Sequence, residues 1–100
     1  MMTASLPRAH RVSVSIPVMY RHPNDEYWFS SRVLNLSQSG ILFAPADLMS
    51  GTRVEVMLSP PVPIGTLASG PQICAGEVVR TTEAGAVAMR FEQSWFVLGT

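Results

Sequence analysis

Apolar residues recur at every second position near the start of this chain. Val12, Val14, Ile16, Val18 and Tyr20 alternate with Ser13, Ser15, Pro17 and Met19. Successive side chains of an extended backbone point to opposite sides, so this period gives a strand with one face in a core and the other toward water. An amphipathic helix repeats about every 3.6 residues and cannot satisfy the pattern. Thr52, Val54, Val56 and Leu58 repeat it against Arg53, Glu55 and Met57. Pro17 has no N–H to give to a ladder, which predicts a sheet edge or a bulge at that point.

The remaining segments read as strands divided by turn chemistry. Pro23, Asn24 and Asp25 mark residues 21–26 as a loop, and a second strand follows over 27–36. Residues 41–44 form a third strand directly after the polar turn Asn35-Leu36-Ser37-Gln38-Ser39-Gly40, so strands two and three should be antiparallel neighbours. Residues 45–51 are expected to hold one helical turn stopped by Gly51, and 52–58 form the fourth strand. Pro60, Pro61, Pro63 and Pro71, with Gly65 and Gly70, make 59–71 an irregular connection. A fifth strand covers 73–81, Thr82-Glu83-Ala84-Gly85 turns the chain, and a sixth covers 86–91. Trp95, Phe96 and Leu98 in the last segment are expected to cap an open barrel end or to meet a partner.

Six short strands with turns between them predict an all-β protein, a small six-stranded antiparallel β-barrel, because closure removes the edges that an open sheet would expose. The expected organisation is a flexible arm over 1–11, the barrel over 12–91 and a short apolar segment over 92–100. One hundred residues suit a single domain with one modest core.

Composition excludes several functions. Seven basic residues balance seven acidic ones, leaving no broad positive field to hold nucleic acid polymers. Cys74 stands alone and supports neither an internal disulfide nor a cysteine-based zinc site; it reads as a small buried apolar group. No apolar run reaches membrane-spanning length, and no secretory leader pattern opens the chain, so a cytoplasmic protein without membrane insertion is expected. No nucleophile elbow, phosphate-cradling glycine loop or metal-ligand spacing is present, and the acidic residues are scattered, so neither enzyme activity, nor a metal, nor a cofactor is expected.

The polar turn carries the chemistry. Asn35, Ser37 and Gly40 stand at offsets suited to a hairpin, and Arg8 and Arg11 precede the first strand. All three turn residue types are favoured in turns for local reasons, so the turn forms whether or not it binds anything. His10, between the arginines, reads as incidental, and Arg32, Arg53, Arg80 and Arg90 read as outward-facing strand charges, of which Arg80 or Arg90 could join a binding face.

In this order of features the chain resembles the PilZ domain family, whose members combine an N-terminal arginine motif, a first strand and an Asp/Asn-x-Ser-x-x-Gly turn. Asn35, Ser37 and Gly40 match the turn in full. Gly51-Thr52-Arg53-Val54, Gly76-Glu77-Val78-Val79-Arg80 and Val87-Ala88-Met89-Arg90-Phe91 extend the similarity from Arg8 to Phe91. The resemblance implies a six-stranded barrel that binds the bacterial second messenger cyclic di-GMP without catalysis and signals to a downstream protein partner. Arg8, Arg11, Asn35, Ser37 and Gly40 are the ligand-binding residues it implies.

The ligand's chemistry suits them. An arginine fork pairs bidentately with a phosphate or with the O6/N7 edge of guanine, and its flat face stacks on a purine. Asn35 can accept from a guanine N–H and Ser37 can donate to a phosphate oxygen. Gly40 is expected to supply a positive φ and to let the main chain approach the ligand. One departure stands out. The family's Arg-x-x-x-Arg is here Arg8-Ala9-His10-Arg11, with Pro7 where the first arginine would fall, and a one-residue shift in an extended segment reverses the side to which a side chain points. A domain that has lost the nucleotide and acts only through protein contacts at Trp95, Phe96 and Leu98 is the alternative.

Overall fold

The computed structural model describes residues 11–12 and 15–97. Its strands are β1 (Arg11–Val12), β2 (Pro17–Arg21), β3 (Phe29–Ser37), β4 (Gly40–Ala44), β5 (Arg53–Leu58), β6 (Gln72–Thr81) and β7 (Val87–Phe96). All neighbours are antiparallel. The ring β3-β2-β5-β6-β7-β4 closes through β3–β4 pairing, giving the six-stranded barrel expected from the alternation, and β1 lies beside the end of β3.

Alternation builds the core. Val54, Val56 and Leu58 of β5 point inward to meet Val18, Val33, Leu36, Phe43, Val78 and Met89. Burying each such side chain stabilises the fold by roughly 1.5–3 kcal/mol before ordering costs, so the interior dominates stability. Tyr20 stacks obliquely on Phe43 and Phe29 with ring centroids 5.4 and 5.6 Å apart. Cys74 is fully buried, and burial pushes its thiol pKa up to about 12.

Several expectations need correction. Pro17 is not at an edge: β2 is paired on both sides, and the proline sits at its first residue, where its ladder to β5 has not begun and no N–H is missed. Residues 45–51 hold no helical turn. Their main-chain donors reach outward instead, Ala46 to the carbonyl of Gly85 at 3.1 Å and Gly51 to that of Val78 at 2.7 Å. Those bonds take the donors that an i to i−4 ladder would use.

The final strand does not end at Phe91. β7 continues to Phe96, paired with β6 down to Gln72, so Trp95 and Phe96 are strand residues rather than a loose tail. They do not cap the barrel either. Buried Ile64 and Leu67, joined by two 2.9 Å backbone bonds, instead join the core from the 59–71 connection, which buried Gln72 anchors by donating to the carbonyls of Ala68 and Gly70. Leu98 lies outside the described residues.

Strict alternation is broken at three places. Leu34 in β3, Val79 in β6 and Glu92 in β7 are unmatched in their ladders, each an extra residue in one strand. Each bulge leaves two consecutive residues outside the core: Leu34 with Asn35, Val79 with Arg80, and Glu92 with Gln93.

Candidate functional site

Cross-strand register gathers the site on the outer face of the barrel wall. Ser37 pairs with Gly40, Gly40 with Arg90, Arg90 with Glu77 and Glu77 with Arg53, forming one row across five strands. Beside it, Asn35 pairs with Leu42, Leu42 with Ala88 and Ala88 with Arg80. An open pocket of about 450 Å³ lies over these two rows, lined by Asn35, Ser37, Gly40, Arg80 and Arg90 among others. The Leu34 bulge is what turns Asn35 toward it. Ser31 and Val33 face inward, so unbroken alternation would have sent Asn35 into the core as well.

The turn holds itself together. Ser37 is 5% exposed, and its Oγ accepts from the Ser39 N–H at 3.2 Å and lies 3.1 Å from Ser39 Oγ and 3.5 Å from the Gly40 carbonyl oxygen. This is a serine side chain mimicking a backbone turn, and its hydrogen-bonding capacity is largely used locally. Gln38 extends the grip: its Oε1 accepts from the Thr66 N–H at 2.7 Å, fastening the 59–71 connection to the turn.

Gly40 is not in the left-handed region; among the described residues the glycines with positive φ are Gly51, Gly65, Gly70 and Gly85. A Cβ at position 40 would overlap the carbonyl oxygen of Met89 on β7. Glycine is needed there because two backbones come close at the β4–β7 seam, and its missing side chain also leaves the pocket floor clear.

The two pocket arginines differ electrically. Arg90 is shared between Glu77 at 3.2 Å and Glu92 at 3.4 Å, and Glu92 also binds Arg53, which lies 3.8 Å from Glu77. The hydrogen bond from Arg53 is the main cause holding the Glu92 carboxyl below its ordinary range, and the same bond raises Arg53. Arg80 makes no ion pair or hydrogen bond among the described residues, so its charge is unspent. From the sequence, Arg80 and Arg90 read as outward strand charges, either of which could join a binding face. Their register in the rows of Asn35 and Gly40 places both at the pocket, unlike Arg32, which donates to the Ser15 carbonyl oxygen elsewhere.

Of the N-terminal arginines, Arg8 lies outside the described residues. The backbone of Arg11 is paired with Ser37, and that of Val12 with Leu36, so the chain carrying the second arginine runs beside the turn strand. The barrel therefore brings Asn35, Ser37 and Gly40 into one pocket and brings the Arg11 backbone to its border.

Among the described residues no three His, Cys, Asp or Glu gather as a metal site requires, and no helix is long and apolar enough to cross a membrane. A family model described as PilZ domain matches residues 6–94. Among solved structures, the crystal structure of the PilZ domain of CeSA from a cellulose synthesizing bacterium is similar with a TM-score of 0.63 and 18% identity, covering 85% of this chain and 82% of that one. At that identity the likeness is one of fold. Among curated proteins, none matches.

Proposed function

Because the chain belongs to the PilZ domain family, we propose that it is a non-catalytic cytoplasmic receptor for cyclic di-GMP that passes the signal to a protein partner. The observation that carries this reading is the roughly 450 Å³ pocket lined by Asn35, Ser37 and Gly40 of the turn region together with Arg80 and Arg90.

Each residue has a role set by its surroundings. Asn35, outward beside the bulge, accepts from a guanine N–H. Ser37 holds the turn that joins β3 to β4 at the pocket's edge. Gly40 keeps the floor low enough for a planar base or a phosphate to lie against the strand. Arg80, without a carboxylate partner among the described residues, pairs with a phosphate or stacks on a guanine without first breaking an ion pair there. Arg90 must first be released from Glu77 and Glu92, so its contribution is smaller. Arg8 and Arg11 close over the ligand from the β1 side. Antiparallel pairing of Arg11 with Ser37 supports this, because an ordered β1 starts the arm beside the pocket despite the shortened arginine spacing. Closure of residues 8–11 changes the surface offered to the partner.

Calorimetry with the purified protein tests the proposal. Binding is expected at about 100 µM ligand or below, an affinity of about −5 kcal/mol or better. Arg8→Ala, Arg11→Ala and Arg80→Ala should each weaken it at least about tenfold, or about 1.4 kcal/mol, as for a lost charge-assisted bond. Absence of heat overturns the receptor reading, and unchanged affinity in the Arg8 and Arg11 variants makes the arm a bystander. The exposure of Trp95 and Phe96, at 43% and 57%, favours as second reading a domain that works through protein contacts alone. Truncation after Phe91 would strip four of the ten β6 residues of their β7 partners, so Trp95→Ala with an intact chain is the cleaner discriminator.

A further inference from the structure

β7 outruns its neighbour. β4 accompanies it only from Val87 to Arg90, and the last contact on that side is the Phe91 N–H donating to the Ser39 carbonyl at 2.9 Å. From Glu92 to Phe96 the strand is paired, among the described residues, with β6 alone, its residues exposed on both faces. The charged bulge at Glu92, bordered by Gln38 and Thr66, guards the start of this edge, but residues 93–96 themselves include no proline and no charged residue.

The direction of the edge groups follows from one bond. Val97 N–H donates to the Pro71 carbonyl, toward β6, at 3.1 Å. Antiparallel ladders alternate, so Trp95 also bonds toward β6, while Ser94 and Phe96 turn their N–H and C=O groups to the open side. On the outer face the register aligns an apolar row, Met19 with Met57, Met57 with Ile73 and Ile73 with Trp95, which ends at this edge.

We propose that a second copy of this chain pairs with this edge, antiparallel, about a two-fold axis through Trp95. That axis alone makes both pairs of open edge groups complementary: Ser94 of each copy exchanges two bonds with Phe96 of the other, four in all. Trp95 then faces its own counterpart at the close, non-hydrogen-bonded spacing of such ladders, about 4.5 Å between Cα atoms. The two apolar rows become one continuous row across eight strands. An isologous contact of this kind closes on itself and cannot propagate into a fibre. Two five-residue edges bury far less than the roughly 1,600 Å² of a standard interface, so the dimer is a concentration-dependent one. This pairing does not depend on the nucleotide reading.

Two measurements on the full chain test it. Sedimentation velocity over a concentration series should show a monomer–dimer equilibrium that Trp95→Glu, which opposes two like charges, shifts to monomer with an unchanged melting temperature. Mild oxidation should convert Trp95→Cys to a disulfide-linked dimer at least tenfold faster than Gln93→Cys, which the axis places opposite Val97. Native Cys74 is buried and stays silent in this assay. A monomer at millimolar concentration, equal cross-linking at positions 93 and 95, or an edge that binds only an unrelated extended peptide would each overturn the self-pairing.

Discussion

Replacing Gly40 by alanine tests how the barrel is closed at its binding site. The added methyl would overlap the Met89 carbonyl oxygen, a main-chain atom in a paired strand that no rotamer change can move. Relief requires β4 and β7 to separate. Overpacking of this sort costs about 1–3 kcal/mol. Weakening one seam bond adds about 1 kcal/mol. The expected loss is therefore about 2–4 kcal/mol, a fall in melting temperature of about 10–25 °C for a domain of this size. Gly51→Ala is the control. Gly51 has φ 90° but no atom within 4 Å of its Cβ position, so only the left-handed backbone is strained, at about 1–2 kcal/mol. Thermal and urea melts of both variants give the comparison. A Gly40→Ala protein that melts within about 3 °C of the parent, or above Gly51→Ala, refutes the crowding account. Shortening the Met89 side chain should not rescue Gly40→Ala, because the obstructing atom is backbone.

Gln38→Ala removes the acceptor that holds the Thr66 N–H, so amide exchange at Thr66 and proteolytic cleavage within 59–71 should accelerate, while global stability falls by only about 1 kcal/mol. The folded-state pKa of Glu92 is lowered, so its contribution to stability is complete above the ordinary glutamate range and is lost as pH falls through the depressed value. The difference in stability between the parent and Glu92→Gln should accordingly be present at neutral pH and shrink as the pH is lowered below the ordinary glutamate range, and a difference that grows on acidification would contradict the pairing with Arg53.

The barrel was legible wherever two-residue alternation ran unbroken. β5 is the clearest case, with Val54, Val56 and Leu58 inward and Arg53, Glu55 and Met57 outward. The turn was legible as well, since Asn35, Ser37 and Gly40 stand where local turn chemistry needs such residues. Alternation misled at the bulges. Glu92 and Gln93 are both polar and both outward, which reads as the end of a strand although β7 continues to Phe96. Arg80 and Arg90 were indistinct because their importance comes from register with β4 and β7, and pairing between strands leaves no local mark on either sequence. The positive φ that the turn predicts for Gly40 is absent, and the close approach of β7 that requires glycine there comes from a strand some fifty residues further along, which cannot be read from the turn itself.

The three bulges bear on how this surface can change over time. In a barrel of strict alternation every outward position has inward neighbours on its own strand, so exchanging surface residues by insertion or deletion drags the interior out of phase. Leu34, Val79 and Glu92 are surplus to the ladders. Each supplies a position without a partner, next to Asn35, next to Arg80 and two residues from Arg90. Recognition chemistry on this wall can therefore be rewritten, or erased, while Val33, Leu36, Val78 and Met89 keep their places, and the durability of the barrel and the identity of what it holds become separate inheritances.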